Sequence, residues 1–389
     1  MQQANATGLN ASGGNENGQG APGKNAAAAN CLESFDSFAR DIPGRGKIAI
    51  VHDLDADGIC SGAIVYNAIL LLRGRKPDLV ITQQNKSREL VPKTLSMLKK
   101  KGISKLIVVD FAIDQEPASL AKAEKIVKQV LVIDHHRDYG CSGWQKTVFV
   151  KPQFFSEIEP SRYPASKLAY DLFSRHVNME KFSWIASVGL MGDSQLEQWK
   201  DFVQASEKRH GTAIHSLSKC VDIISSVETI SPKNLNSLLI FIAKADSPNK
   251  LVRSKFSSYT LKMDKLLRRL LAEFEIAKEE LLGNELVWFE FRSKENIKSA
   301  LINKVSGGMM PNRTVIVVQD NGDGFLHFSA RRQDFKVKVN ELLEKAVKGL
   351  KEAGAGGHVP AAAGKILKKD LPEFRKRVLE LLQKNDFSY

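Results

Sequence analysis

The sequence predicts an α/β protein in which a doubly wound parallel sheet is joined by a helical connector to a smaller α/β C-terminal domain. Three patterns carry this expectation. From Lys47, apolar β-rich runs (Ile48 to Val51, Leu79 to Thr82, Leu106 to Val109, Val130 to Ile133) alternate with segments of helical period such as Ile59 to Leu72 and Ala118 to Lys128. Strands that are apolar throughout and separated by helices pair in parallel, because the crossover helices cover both faces of the sheet. The region from Arg162 to Lys244 is mostly helical in pattern, and after Gly283 and Asn284 strand-like runs return in Leu286 to Phe291 and Thr314 to Gln319.

Residues 1 to about 30 are dominated by Asn, Gly, Ala and Gln and carry only Glu16 and Lys24 as charges. Such a segment buries too little to offset its ordering entropy and reads as a disordered tail. Residues 45–244 form the first domain, in which the helical stretch Phe182 to Met191 runs straight into Gly192 and Asp193. Residues 245–283 are the connector. There Met263, Leu267, Leu270 and Phe274 fall on one helical face, while Lys262, Lys265 and Arg269 fall on another. The apolar face reads as core, and the basic face as solvated surface or the wall of a nucleic-acid groove. Residues 284–389 make the second domain.

At 389 residues, 43% hydrophobic, the chain can bury two ordinary cores, and its net charge of +13 favours a polyanionic partner. Cys31, Cys60, Cys141 and Cys220 show no CxxC spacing, so neither a zinc site nor a disulfide framework is indicated and a reducing cytoplasm fits. No basic-then-apolar leader opens the sequence, and no apolar run approaches the roughly 20 residues that span a bilayer. Secretion and membrane insertion are therefore not expected.

The chemistry concentrates where the apolar runs end. Ile48 to Val51 leads through His52 into Asp53, Asp55 and Asp57, three acids at alternate positions whose side chains project to one side of an extended chain. Leu106 to Val109 closes on Asp110, Leu131 to Ile133 on Asp134, His135 and His136, and the helical stretch before Gly192 on Asp193. A single Asp after a strand is ordinarily a turn former or helix cap. Four such ends in one alternating domain, however, would gather up to six carboxylates and two imidazoles in the crevice where parallel sheets bind ligands. Without cations that many like charges would be driven toward protonation. Hard carboxylate oxygens with a minority of imidazole suit Mn²⁺ or Mg²⁺, and two ions about 3.5 to 4 Å apart could hold an attacking hydroxide and a phosphoryl oxygen.

These residues resemble the four signatures of the DHH phosphoesterase superfamily, with Asp53-Leu-Asp55-Ala-Asp57-Gly58 as the first, Asp110 as the second, Asp134-His135-His136 as the third and Asp193 as the fourth. The second domain is similar to the DHH-associated C-terminal domain, whose Gly-Gly-His signature is matched by Gly356-Gly357-His358. Taken alone that tripeptide reads as a loop. The resemblance implies that Asp53 and Asp55 ligate one ion, that Asp57, His135 and Asp193 ligate the other, and that Asp110 bridges them. It also implies that His136 and Asp134 serve the substrate phosphate and orient the ligating imidazole. Some members carry His at the outermost position of the first signature, which leaves His52 and Asp53 as rivals for it. Ser329-Ala-Arg331-Arg332 resembles the Ser-x-Arg element that holds a substrate phosphate in RecJ-like and nanoRNase-like members, with Gly356, Gly357 and His358 as further anion donors. The chain has Ala361-Ala362-Ala363-Gly364 after the His, where the family pattern is two alanines and a glycine after a two-residue spacing.

The function expected from this resemblance is a two-metal phosphodiesterase with Mn²⁺ or Mg²⁺, acting as an exonuclease on single-stranded DNA or RNA. Short oligonucleotides and 3′,5′-bisphosphate nucleotides are the rival substrates, and inorganic pyrophosphatase chemistry is disfavoured by the Gly-Gly-His domain. Replication or repair proteins are further candidate partners. A scaffold role in replication, known in relatives that have lost ligands, conflicts with the full ligand set present here.

Overall fold

The computed structural model describes residues 24–83, 88–141 and 143–384. Its first sheet has five strands, β1 (Lys47–His52), β2 (Leu79–Thr82), β3 (Ile103–Val109), β4 (Gln129–Ile133) and β5 (Thr147–Val150), all parallel in the order β2-β1-β3-β4-β5. Alternation along the strands divides their side chains between two cores. Ile48, Ile50, Ile107, Val109, Leu131 and Ile133 face one side, whereas Ala49, Val51, Leu106, Val108, Val130 and Val132 face the other. The four runs expected as strands therefore form one sheet, joined at its edge by the short β5.

Helix α1 (Lys24–Arg40) begins inside the segment expected as tail, of which residues 1–23 lie outside the described residues. Four alanines at 26–29 favour helix, and Cys31, Phe35, Phe38 and Ala39 recur at helical spacing and are buried. Burial of that apolar stripe outweighs the ordering cost that composition alone predicted. Helix α2 (Ala56–Arg73) is buried across the same face of the sheet, while α3 (Pro92–Lys101) and α4 (Pro117–Ile126) cover the opposite face. By length and composition α2 could cross a membrane, yet 78% of it is buried inside the fold, as befits a central core helix.

The helical region comprises α5 (Ala165–Ser174), α6 (Ser183–Gly192), α7 (Lys200–His210), α8 (Ile214–Ile230), α9 (Leu235–Lys244), α10 (Pro248–Val252) and α11 (Ser258–Ala277). Its apolar residues join α2 in one core. The second sheet starts at Glu279, slightly before the expected boundary at 284. It holds β6 (Glu279–Leu281), β7 (Leu286–Arg292), β8 (Thr314–Asp320), β9 (Phe325–Arg331), β10 (Gly354–His358) and β11 (Ala361–Leu367), in the order β10-β11-β9-β8-β7-β6. Only β7 and β8 pair in parallel, so this sheet is mixed. Helices α11 and α12 (Lys298–Lys304) pack on one face, and α13 (Val339–Val347) and α14 (Leu371–Gln383) on the other. Met263, Leu270 and Phe274 of α11 lie in this second core, while Lys262, Lys265 and Arg269 are exposed, as the sequence pattern requires.

Candidate metal centre

Strand order turns at β1. The chain passes from β1 to β2 on one side and then crosses to β3 on the other, which opens a crevice at the carboxyl ends of β1 and β3. Asp53 and Asp110 leave those two strands, and Asp134 leaves β4 beside them. Asp55 caps α2 by accepting the Gly58 N–H at 2.9 Å. A Cβ on Gly58 would stand 2.7 Å from the carbonyl carbon and oxygen of Asp53, so only glycine lets the first turn of α2 lie against the end of β1. Buried Asp57 accepts the Ala165 and Ser166 N–H groups at 2.6 and 3.1 Å, at the start of α5. Asp193 follows α6, and Asp110 has φ 55°, a left-handed conformation that Asp tolerates better than most residues.

This backbone gathers the predicted ligands into linked groups. Asp53, Asp55 and Asp110 each bring an oxygen within 4.8 Å of the others, and so do the ligand atoms of Asp57, His135 and Asp193. A third group of Asp110, His135 and His136 joins the first two. His135 places Nε2 3.4 Å from Asp110 and Nδ1 3.8 Å from Asp193, and that Nδ1 is buried with no hydrogen-bond partner. Burial, followed by the carboxylates of Asp57 and Asp55, pushes Asp110 well above the usual carboxylate range. Burial and then Asp57 raise Asp193 to about 7, and burial raises Asp57 itself. Crowded, desolvated carboxylates around an unsatisfied imidazole nitrogen are what a pair of hard divalent cations would neutralise, so the donor set fits Mn²⁺ or Mg²⁺.

Behind the ligands lies a buried ion network. The Asp134 carboxylate accepts from His136 Nδ1 at 2.7 Å and stands 3.0 Å from the Lys151 ammonium. Lys151, from the end of β5, also reaches Asp114 at 3.0 Å and the carbonyls of His136 and Arg137. Although burial opposes its charge, the bond from His136 and the neighbouring cations hold Asp134 below the carboxylate range. An ionised Asp134 fixes the proton on His136 Nδ1 and leaves Nε2 free toward the cleft. Sequence reasoning missed Lys151, whose signal was a lysine ending the apolar run Thr147 to Val150 at the same edge of the sheet.

His52 does not join the cluster. Its ring is buried, with Nδ1 2.6 Å from the Asp53 carbonyl and Nε2 3.2 Å from the Thr82 hydroxyl, and burial lowers it to about 4. Asp53 rather than His52 therefore joins the carboxylate group.

The second domain contributes one predicted residue to the cleft. A cavity of about 840 Å³ is bounded by His135, His136, Asp193, Gln153, Gln195 and His358. A smaller recess of about 210 Å³ beside Asp53, Asp55 and Asp110 includes Arg88 and Glu228, neither of which the motifs signalled. Gly356-Gly357-His358 is strand β10 rather than a loop, because the backbone pairs with Ala361 to Ala363 of β11. Gly357 is required there: its φ is +148° and a Cβ would lie 2.4 Å from the Ala361 carbonyl. Ser329, expected at the substrate phosphate, is fully buried on the face of β9 that packs against α12, with its hydroxyl unpartnered. Arg331 is held by Asn303 Oδ1 at 3.1 Å and by the Ala330 carbonyl at 2.9 Å. Neither Ser329 nor Arg331 lines the two cavities.

The N-terminal domain of the DHH family matches residues 47–192, the span that carries all the carboxylates and histidines of this cluster except Asp193, one residue beyond it, and the DHHA1 domain matches residues 291–384. The chain belongs to the DHH phosphoesterase superfamily. Among solved structures, this DHH protein is similar to an exonuclease RecJ bound to manganese, with TM-score 0.66 and 16% identity over 91% of this chain and 94% of that one. RecJ of Thermus thermophilus in complex with Mn²⁺ gives TM-score 0.66 and 16% identity over 93% of this chain and 55% of that one. CDC45 of Entamoeba histolytica shares the fold at TM-score 0.53 and 9% identity, over 90% of this chain and 99% of that one. No curated protein sequence matches.

Proposed function

We propose that the chain is a two-metal phosphodiesterase that shortens single-stranded nucleic acid from an end, releasing mononucleotides. The observation that carries this reading is the pair of carboxylate groups joined through Asp110 and His135 at the turning point of the sheet, facing a cleft to which the second domain contributes His358. The structures described as RecJ with manganese or magnesium support the choice of Mn²⁺ or Mg²⁺. Two such ions would supply the Lewis-acid charge that acidifies water and stabilises a phosphoryl oxygen.

The chain's own residues do the rest. Asp53, Asp55, Asp57, Asp110, His135 and Asp193 would hold the cations. Asp134, kept anionic by His136 and Lys151, holds His136 by Nδ1 and, against the effect of burial, raises its pKa, so that the imidazolium form carries a second proton on Nε2 to pass to a phosphate or leaving oxygen. His358 meets the substrate from the opposite wall, and Arg331 with the backbone of Gly356 and Gly357 would come into contact on closer approach of the second domain. A scaffold without metal chemistry would leave so many buried like charges without a task. The reading includes a reducing, cytoplasmic setting, in keeping with four free cysteines.

The test is a time course with Mn²⁺ on an end-labelled single strand of roughly 20 nucleotides, a dinucleotide and a 3′,5′-bisphosphate nucleotide. Stepwise shortening of the long strand, absent in Asp110→Ala, is the expected result. Turnover confined to the short substrates would replace the exonuclease with a scavenging phosphodiesterase or phosphatase. Full activity of Asp110→Ala would remove the two-metal mechanism.

A further inference from the structure

The positive charge of the chain is not spread evenly. Between residues 233 and 270 nine Lys and Arg stand against two Asp, a net +7 in a chain whose total is +13. All nine, Lys233, Lys244, Lys250, Arg253, Lys255, Lys262, Lys265, Arg268 and Arg269, are exposed on the consecutive helices α9 to α11 and the segments beside them. Such a concentration is the electrostatic footprint of a polyanion, because each phosphate neutralised releases counterions. Lys250 pairs with Asp246 and Arg269 with Glu273, but both pairs are solvent-exposed, where ion pairs hold little free energy and a phosphate competes readily.

This face also carries a groove separate from the metal cleft. Ser237, Ile240, Phe241 and Lys244 lie on one side of α9 at helical spacing, and Phe256 with Lys250 and Lys255 forms the other wall around about 440 Å³. The floor of Ile240, Phe241 and Phe256 is apolar and the rim is lysine. Single-stranded nucleic acid has matching parts, apolar base faces and a phosphate chain. The groove lies along a helix that is tied to the same carboxyl edge of the sheet that carries the metal cleft. Helix α9 starts at the carboxyl end of β2, where Asn236 Oδ1 accepts from the Thr82 N–H at 2.8 Å and its hydroxyl at 2.7 Å.

We propose that the α9–α11 face is an accessory binding surface for single-stranded nucleic acid, which holds the strand beyond the nucleotides in the metal cleft. This rests on the nucleic-acid reading of the cleft, but its test does not depend on catalysis. A labelled oligothymidylate of roughly 20 nucleotides is titrated with the full chain in EDTA and followed by fluorescence anisotropy, alongside Lys244→Gln/Lys250→Gln/Lys255→Gln. The triple variant should bind about tenfold or more weakly at ~0.1 M salt, and its slope of log affinity against log salt should shrink by about two, at roughly 0.7 for each phosphate no longer neutralised. In Mn²⁺ the same variant should raise KM for the long strand while leaving kcat and dinucleotide turnover unchanged. Equal binding by variant and wild type, or no binding by wild type, overturns the surface. So does displacement of the oligonucleotide by poly-L-glutamate at equal charge concentration, which would assign the face to acidic polypeptides. If the wild type binds in EDTA, the variant does not, and no substrate is cut, the catalytic reading fails and the surface stands.

Discussion

Replacing Lys151 by methionine isolates the buried ion network from the ligands it supports. The ammonium is fully buried and lies 3.0 Å from both Asp114 and Asp134, which are themselves buried. Methionine keeps the volume and removes the charge. Asp134 would retain His136, and Asp114 would retain the Tyr139 N–H at 2.8 Å, but neither hydrogen bond cancels a desolvated carboxylate. Leaving a buried ion uncompensated costs about 3–5 kcal/mol. At roughly 2–4 °C per kcal/mol for a domain of about this size, the melting temperature should fall by about 6–20 °C. The measurement is thermal or urea unfolding without metal. Pairing Lys151→Met with Asp114→Leu should recover about half of the loss, since replacing a buried pair with apolar groups is often neutral. A loss below about 1 kcal/mol for Lys151→Met would refute the reasoning, because it would mean that water reaches these carboxylates in the native state.

Other outcomes follow from the same geometry. Asp193 titrates at about 7 in the fold against an ordinary value of 3.8, so the folded chain keeps a proton that the unfolded chain releases. The contribution of Asp193 to metal-free stability should accordingly be fully present below the lower value and be lost as pH rises through the upper one. Asp193→Asn should flatten this profile and Mn²⁺ should reverse it, and a metal-free melting temperature independent of pH in wild type would contradict the assignment. Gly189→Ala places a Cβ 2.3 Å from the Ser166 hydroxyl and 2.9 Å from Asp57, so it should destabilise the chain by about 1–3 kcal/mol and weaken Mn²⁺ binding in calorimetry. His358→Ala and Arg331→Ala should raise KM while leaving Mn²⁺ affinity unchanged, and an equal loss of metal binding would exclude the second domain from substrate contact.

The sheet, its strand ends and the ligand groups were legible because each depends on local pattern. An apolar run followed by an acid is visible in one dimension, and parallel pairing brings all such ends to one edge. The residues behind the ligands were not legible. Lys151 and Asp114 are 37 positions apart, and nothing local signals that they meet. Arg88 and Glu228 reach the recess from outside every motif. Ser329 misled because its motif says what neighbours the residue has in sequence, whereas strand alternation turns its side chain into the face covered by α12. The start of α1 was hidden for the opposite reason: its alanines looked like tail until the stripe of Phe35 and Phe38 found a sheet to cover.

Asp57 has two occupations. Its carboxylate oxygens already receive two backbone N–H groups from a helix more than a hundred residues away, so any cation must share lone pairs with that helix start. The residue is thus a rivet as well as a ligand. Asp193 is less buried than Asp57 and stands at the end of its own helix. A descendant of this fold that abandoned metal chemistry would be free to shed Asp193 early, yet would be held to Asp57 by its architecture. Survival of that one acid would then record ancestry rather than activity.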